Sequence, residues 1–480
     1  MSEYKIFVQR IGLIGITNIL IAISSLILLP IITKNISIND YGLWVQVNVT
    51  ILLVSNLITL GLPYAMVRFL AAKKVKSEIQ EGFYSILLTI LILALILSFI
   101  LYIYSQPIAN ILFNGNITVA IILPLIIIVV SVNNILLSYF RTFQQMKKYS
   151  VILFIQAYLI VILLSYFVIS NYGIIGIIIG LLITYCIVFL IMIIFIILDI
   201  GLKIPKFSHI EEYLSFSLPT VPSNLSFWVV DSSDRYIIGI LLGTAFVGYY
   251  SPGYTLGNTI TMLLVPFSTL LPAVLSKYHD ENKINEVKTV LSYSLKYFLI
   301  LAIPSVVGIS LLSKPLLMVL TTPEIATNGY LVTPFVAISA LFSGLYGIYV
   351  LVIILEKKTK VIGIVWIIAA ILNILFNILL IPYFGIIGAA FVTLIAYVTT
   401  FVIIFYYSSK YVHIDFNFGL IKIILSSIIM SLFIIYSNPS GILNIFLVIG
   451  ISFVIYMLSL IILGGIKKEE FKFIKESFKR

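Results

Sequence analysis

The sequence predicts an all-α, polytopic membrane protein with about fourteen transmembrane helices. Hydrophobic residues make up 61% of its 480 residues and charged residues only 10%, whereas a soluble domain carries roughly 25% charged residues. The apolar runs are each about 20 residues long, which is the length that crosses the hydrocarbon core of a bilayer. They follow one another with short interruptions, and Lys and Arg cluster in alternate interruptions.

The predicted elements follow in chain order from these runs. The first run, 11–32, comes after Lys5 and Arg10 and is longer than the apolar part of a signal peptide, so we interpret it as the first span. The full set of predicted spans is 11–33, 42–67, 83–104, 117–140, 150–170, 173–198, 213–242, 247–275, 290–312, 330–355, 361–381, 385–408, 418–437 and 442–465.

The distribution of positive charge predicts the orientation of these spans. If the N-terminus lies inside, the inner loops and tails hold all 29 Lys and Arg residues apart from Lys34, Lys314, Arg235 and Lys296. Both termini are therefore expected on the cytoplasmic side of the plasma membrane. The net charge of +11 then requires no nucleic-acid partner. The tail, 467–480, is basic and amphipathic, which predicts a helix lying on the anionic inner leaflet.

An internal repeat predicts how the spans are grouped. Tyr-Gly-Ile-Ile-Gly at 172–176 is repeated as Phe-Gly-Ile-Ile-Gly at 384–388. Tyr-Gly-Leu-Trp at 41–44 corresponds to Val-Gly-Tyr-Tyr at 247–250. The repeat unit holds six spans, an even number, so its two copies are expected to be parallel. The predicted domains are an N-terminal six-helix lobe at 1–200, a C-terminal six-helix lobe at 201–412, two additional helices at 413–466 and a basic cytoplasmic tail at 467–480.

The sequence offers few groups for catalysis. His209, His279 and His413 are isolated in predicted inner loops, and Cys186 is the only cysteine. There is no glycine-rich phosphate loop of the Walker type and no pair of catalytic carboxylates at an aqueous site. We therefore expect no enzymatic activity, no cofactor and no metal site.

The seventh predicted span carries charges that the topology does not explain. Asp231, Asp234 and Arg235 lie in an otherwise apolar stretch, and a charge near the bilayer centre costs roughly 2.5 to 3.5 kcal/mol. Asp231 and Arg235 are spaced to pair on a helix. Asn224 and Trp228 share their face, and sugars are bound by such mixtures of aromatic and hydrogen-bonding groups. Either this face lines a cavity, or the charges fix the helix against a neighbour or reach the interface.

Other irregular features lie inside predicted spans. Lys296 in the ninth span either extends to the inner surface or faces a cleft. Gly61 and Pro63 break the second span, and Pro266 and Pro272 break its repeat partner. Such breaks occur where a transport helix lines a cavity or bends, and proline kinks also serve plain packing.

Two motifs make the chain resemble a known family. Asp-Arg-Tyr-Ile-Ile-Gly-Ile-Leu-Leu-Gly at 234–243, continued by Val-Gly-Tyr-Tyr-Ser at 247–251, is similar to the signature of the polysaccharide transport family. Asn-Asp-Tyr-Gly-Leu-Trp at 39–44 resembles the loop after that family's first helix. The family includes the Wzx-like O-antigen flippases and belongs to the multidrug, oligosaccharidyl-lipid and polysaccharide exporter superfamily. The fourteen-span plan with its duplication also matches, so the resemblance covers essentially the whole chain.

The resemblance implies a two-lobe flippase that moves a lipid-linked oligosaccharide of the polyprenyl-diphosphate type from the inner to the outer leaflet by alternating access. It also implies a central cavity in which cationic residues hold the diphosphate. The match to this pattern is incomplete, because Arg10 and Arg68 lie at the inner ends of their helices and not deep within the spans. The candidate substrate-binding residues are Arg235, Asp231, Asp234, Asn224, Trp228, Lys296, Arg68 and Arg10. The implied partners are the lipid-linked oligosaccharide, membrane lipids, Na+ or H+ as a coupling ion, and a glycan polymerase or glycosyltransferases.

Three alternatives stay open. A cation-coupled multidrug antiporter of the same superfamily is expected to have twelve spans and a buried acid in its first lobe, whereas the first six predicted spans contain no Asp or Glu. A peptidoglycan-precursor lipid flippase would differ in its cargo alone. A membrane-embedded glycosyltransferase or polymerase would need a catalytic acid or base and a long outer loop.

Overall fold

The computed structural model of the chain describes residues 3–412 and 419–465, with side chains from residue 12 onwards. These residues form helices joined by short connections. His413 and the predicted interfacial helix at 467–480 lie outside the described residues. The chain divides into two compact units, Met1–Ser251 with Ile374–Gly385, and Pro252–Asn373 with Ile386–Arg480.

The first unit is built around α6. Its helices are α1 (Glu3–Asn35), α2 (Ile38–Thr59), α3 (Leu62–Leu70), α4 (Lys76–Ile103), α5 (Ser105–Leu112), α6 (Ile117–Thr142), α7 (Met146–Ile169), α8 (Gly173–Ile200), α9 (Ile210–Ser217), α10 (Val221–Leu242) and the start of α11 (Thr244–Asn258). α6 packs against α2, α4 and α8, and its Ile127, Ile135 and Leu136 are fully buried. α7 packs against α1 and α8, while α10 packs against α2.

The second unit is built around α13. Its further helices are α12 (Val265–Asp280), α13 (Ile284–Leu311), α14 (Ser313–Leu320), α15 (Pro323–Gly329), α16 (Val332–Leu355), most of α17 (Thr359–Ser408), α18 (Leu420–Ser437) and α19 (Ile442–Ile462). α13 packs against α16 and α18 around its buried Leu291, Leu295 and Phe298. The Tyr456 hydroxyl of α19 donates a 2.7 Å hydrogen bond to the main-chain oxygen of Ile300 on α13.

Within the described residues, twelve helical stretches are long and apolar enough to cross a membrane. One of them, Thr359–Ser408, contains two predicted spans, since Gly385 interrupts it with non-helical angles (φ 58°, ψ −143°). Val221–Leu242 has 22 residues but is not among the twelve, because its charges lower its hydropathy. The fold class is confirmed as all-α with many membrane-spanning helices, whereas the number fourteen stays a prediction.

Three predicted spans are not continuous helices: 42–67, 213–242 and 247–275. Leu60 and Gly61, with φ of 47° and 71°, separate α2 from α3. Short 3-10 turns at Leu218–Thr220 and Thr259–Leu264 interrupt the other two. A proline occupies the first turn of each helix that follows these breaks, where its missing N–H leaves no hydrogen bond unmade.

The helices repeat along the chain. α4 and α13 each have 28 residues and are followed by the eight-residue helices α5 and α14. Gly173 and Gly385, from the repeated pentads, both have a φ of 58°. With ψ at −143°, Gly385 occupies a conformation that is essentially restricted to glycine. This conformation explains why the repeat has glycine at this position. The predicted lobe boundaries at 200 and 412 stay a prediction.

Glu81 of α4 fixes the connection between α8 and α9. Its Oε1 accepts a 2.8 Å hydrogen bond from the main-chain N–H of Lys206 and a 3.4 Å bond from that of Ser208. One turn later, the Tyr84 hydroxyl donates a 2.6 Å bond to the main-chain oxygen of Gly201. Bonds from main-chain N–H groups to a carboxylate are stronger than neutral ones, so α4 holds this connection in place.

Glu81→Ala is expected to release the connection between α8 and α9. The loss of the carboxylate costs about 1 kcal/mol, which corresponds to a roughly fivefold change in the opening equilibrium. Limited trypsin digestion of the purified protein should then cut after Lys203 and Lys206 about fivefold faster than in the wild type. Glu211→Ala, on the exposed face of α9, is the matched control. Equal cleavage rates in the two variants would contradict the role of Glu81.

Candidate functional site

The charges of the seventh predicted span lie in a buried contact between α10 and α11. Asp234 is fully buried and Arg235 is 8% exposed. The Arg235 Nη1 atom lies 3.0 Å from Asp234 Oδ1, and the main-chain N–H of Arg235 donates a 2.8 Å bond to the same oxygen. Tyr250 donates its hydroxyl to Asp234 Oδ2, and its ring centre lies 5.6 Å from the guanidinium carbon. The two charges therefore compensate each other inside the protein, which lowers the cost of placing them in an apolar helix.

Asp231 lies one turn before Arg235 and is half-buried. Arg235 Nη1 donates to the main-chain oxygen of Asp231, and the Asp231 Oδ2 atom accepts a 3.1 Å bond from Ser232. Asp231 and Arg235, whose spacing predicted a contact, are therefore joined by a hydrogen bond to the main-chain carbonyl of Asp231. The carboxylate of the ion pair described above belongs to Asp234.

The two motifs that carry the family resemblance pack against each other. A Cβ atom on Gly42 of α2 would overlap the main-chain oxygen of Thr244, at the start of α11. Reciprocally, a Cβ atom on Gly248 of α11 would lie 2.7 Å from the main-chain oxygen of Ile38, at the start of α2. Gly42 and Gly248 occupy equivalent places in the repeated motifs. Both glycines are therefore explained by the close approach of two backbones.

α10 also contacts α2 along its length. The Tyr236 hydroxyl donates a 2.6 Å hydrogen bond to Thr50 Oγ1, and its ring lies 5.8 Å from that of Trp228. A Cβ atom on Gly239 would overlap the Gln46 Nε2 atom. The helix that carries the charges is thus fixed on one side by α2 and on another by α11.

The other predicted site residues are distributed over several helices. On α10, Asn224 is half-buried, and Trp228 is buried with an indole N–H that has no hydrogen-bond partner in the described structure. Arg68 is exposed in the last turn of α3. Lys296 is 4% exposed on α13, in the second unit. Arg10 lies on α1, and its side chain is outside the described residues.

A cavity of about 230 Å³ in the first unit was not predicted from the sequence. It lies between α2, α6, α7 and α8. Its polar lining consists of five carboxamides and two residues that bear hydroxyls: Asn48, Asn56, Asn133, Asn134, Gln156, Ser55 and Tyr185. These side chains are neutral, so no buried charge marks them in the sequence as it marks Asp234 and Arg235. The available signal was the presence of Asn and Gln within spans, where they hydrogen-bond across helices.

Two known protein families match parts of the chain. Residues 7–279 match the family described as polysaccharide biosynthesis protein, and residues 219–379 match the MatE family. The first match covers more than half of the chain and includes both motifs, at 39–44 and at 234–251.

Two curated relatives come from Haloferax volcanii. "Probable low-salt glycan biosynthesis flippase Agl15" is 27% identical over 237 residues, which cover 49% of this chain and 50% of the relative. "Probable flippase AglR" is 30% identical over 168 residues, or 34% of each chain. The chain therefore spans half or less of the length of these curated relatives.

A solved structure shows the fold. "Lipid II flippase MurJ, inward closed conformation" superposes with a TM-score of 0.75 over 95% of this chain and 98% of that chain, at 21% identity. The protein is thus a multi-pass membrane protein with a MurJ-like fold. Together with the match over residues 7–279, this places the chain in the polysaccharide biosynthesis protein family.

Proposed function

We propose that the protein is a flippase that moves a lipid-linked oligosaccharide of the polyprenyl-diphosphate type from the inner to the outer leaflet of the plasma membrane. The match of residues 7–279 to the polysaccharide biosynthesis family carries this proposal. The names of the two Haloferax relatives and the MurJ-like fold support the same class of transporter. The movement occurs by alternating access, the termini lie in the cytoplasm, and the cargo serves surface polysaccharide or glycan assembly.

Within this proposal α10 has two parts with different roles. Asp234 and Arg235 hold the helix in place, since their described bonds are internal to the protein. Asn224, Trp228 and Asp231 precede them on the same helix and supply the hydrogen-bonding and aromatic groups that meet the cargo.

The remaining candidates are cations. Arg10, Arg68 and Lys296 are the proposed contacts of the anionic diphosphate. An inside-negative membrane potential favours outward movement of an anion by about 2.3 kcal/mol per charge per 100 mV. The potential therefore acts in the direction of export, and Na+ or H+ is a further proposed coupling ion. A glycan polymerase or glycosyltransferases would supply or consume the cargo.

Reconstituted vesicles test the proposed function. They contain the purified protein and a polyprenyl-diphosphate oligosaccharide with a fluorescent label on its glycan, and an impermeant reagent destroys the label on the outer leaflet. We expect the protected half of the label to become accessible only when the protein is present. An imposed potential of about 100 mV should shift the equilibrium distribution by about fiftyfold per charge. Equal accessibility in protein-free vesicles and in vesicles with the protein would contradict the proposal.

The MatE match at residues 219–379 supports multidrug antiport as the second candidate. In the same vesicles, ethidium accumulation driven by a Na+ or H+ gradient, without glycan movement, would favour that function. Movement of a lipid-linked peptidoglycan precursor alone would instead assign the protein to peptidoglycan synthesis. Each cargo thus gives a distinct result in one preparation.

A further inference from the structure

The cavity in the first unit is uncharged and rich in hydrogen-bonding groups. Its lining contains no Asp, Glu, Lys, Arg or His. The carboxamides come from three different helices, with Asn48 and Asn56 on α2, Asn133 and Asn134 on α6, and Gln156 on α7. Each carboxamide can donate two hydrogen bonds and also accept them. Asn48 and Asn133 each already donate one hydrogen bond to a main-chain oxygen. The remaining donors and acceptors of the five groups suit a ligand that has both.

Two buried atoms of this lining have no partner within the described structure. Asn133 is 5% exposed; its Nδ2 donates a 3.0 Å bond to the main-chain oxygen of Tyr185, and its Oδ1 accepts none. Ser55 is 2% exposed, and its Oγ also lacks a partner. An unsatisfied buried polar group costs about 1 to 3 kcal/mol. Both residues belong to the cavity lining, so its wall carries two polar groups that the described structure leaves unsatisfied.

The apolar part of the lining narrows the ligand class. Ile51, Leu52, Val130, Leu137 and Met192 line the same space as the carboxamides. A sugar ring combines apolar C–H faces with hydroxyl groups, and an N-acetyl group adds a donor and an acceptor that match a carboxamide. A diphosphate would need cationic partners, which this lining does not contain. The volume equals that of about seven or eight water molecules, so the space suits one sugar unit and not a whole oligosaccharide.

We infer that this cavity is a subsite for one uncharged sugar unit of the glycan cargo. The inference rests on the proposed flippase function, and it separates recognition of the glycan from binding of the charged headgroup. Neutral carboxamides from α2, α6 and α7 recognise the sugar. Leu52 and Asn56, which are exposed, mark the mouth through which it enters.

A labelling experiment on the full chain tests the subsite without any transport step. Cys186→Ala removes the only native cysteine, and Leu52→Cys places a thiol at the mouth, where the native side chain is 54% exposed. The rate of maleimide labelling is measured with glucose, galactose or N-acetylglucosamine, and separately with sodium pyrophosphate, NaCl or KCl. We expect at least one of the sugars to slow the labelling in a saturable way, and the salts to leave it unchanged.

Gln156→Met provides the specificity control in the same background. It keeps the approximate shape and removes the amide, so the sugar concentration needed for half protection should rise by about tenfold. Gln106→Met, on the exposed face of α5, should leave it unchanged. Labelling that no sugar slows, or protection that survives Gln156→Met, would overturn the subsite. Protection by NaCl but not by KCl or sugars would overturn it in favour of a cation site.

The labelling result and the flipping result are independent of each other. If the vesicles move no glycan lipid while a sugar protects the thiol, the flippase proposal fails and the sugar site stands. If the vesicles move the glycan lipid while no sugar protects, the flippase stands and the subsite fails.

Discussion

Arg235→Gln is expected to destabilise the folded protein by about 3 to 5 kcal/mol. Arg235 forms a 3.0 Å ion pair with the fully buried Asp234, and its removal leaves a buried carboxylate without its counter-charge. Asp234→Asn should be destabilising too, because it removes the charged partner of the 3.0 Å ion pair and weakens the bond from Tyr250. The free energy of unfolding is measured in detergent by denaturant titration of each purified variant.

The double variant Asp234→Asn/Arg235→Gln is the decisive comparison. It removes both charges together, so most of the lost stability should return. Arg68→Gln is the matched control, since this exposed cation on α3 should change stability by less than about 0.5 kcal/mol. If the single Arg235→Gln variant is as stable as the wild type, the ion pair does not hold α10.

The same double variant distinguishes two roles of Arg235, fixing α10 in place and contacting the cargo. If Arg235 only holds α10, the refolded double variant should move glycan lipid in the vesicle assay at a rate close to that of the wild type. If it folds normally but moves no cargo, Arg235 contacts the cargo directly, and the division of α10 proposed above is wrong.

Gly42→Ala is expected to destabilise the protein by about 1 to 3 kcal/mol, even though alanine is the better helix former. The new Cβ atom would overlap the main-chain oxygen of Thr244, and a backbone cannot move aside as a flexible side chain can. α2 and α11 must then separate. The effect is measured as a loss in the free energy of unfolding of the purified protein.

Gly363→Ala is the matched control for this prediction. A Cβ atom on Gly363 of α17 meets nothing within 4 Å, so alanine should stabilise the helix by up to about 1 kcal/mol. The two substitutions are chemically identical and are expected to act in opposite directions. A stabilising effect of both would show that the contact between α2 and α11 is looser than described.

Some of the site residues could be predicted from the sequence and others could not. Asp231, Asp234 and Arg235 were found because a charge in an apolar span is visible in the sequence itself. The pairing of Asp231 with Arg235 was predicted from their spacing. The ion pair of Arg235 with Asp234 and the bond from Tyr250 on another helix were not. The carboxamide cavity was not predicted, because Asn133 and Gln156 are uncharged and the sequence does not show that their helices meet.

The sequence by itself determined that this is an all-α membrane protein, which helices repeat and which family it resembles. Those features depend on hydropathy, charge and motifs, which can be read along the chain one segment at a time. The sequence did not determine the number of spans, because the charges of α10 and the break at Gly385 alter the local pattern on which a count depends.

Only the tertiary structure decided what the polar residues do. The contact between Gly42 and Thr244, the bond from Tyr250 to Asp234 and the convergence of carboxamides from α2, α6 and α7 all join different helices. Such contacts depend on how helices pack, and apolar spans of similar composition can pack in many ways. The backbone approach that glycine permits and the pairing that a buried charge requires are two constraints that exclude many of these arrangements.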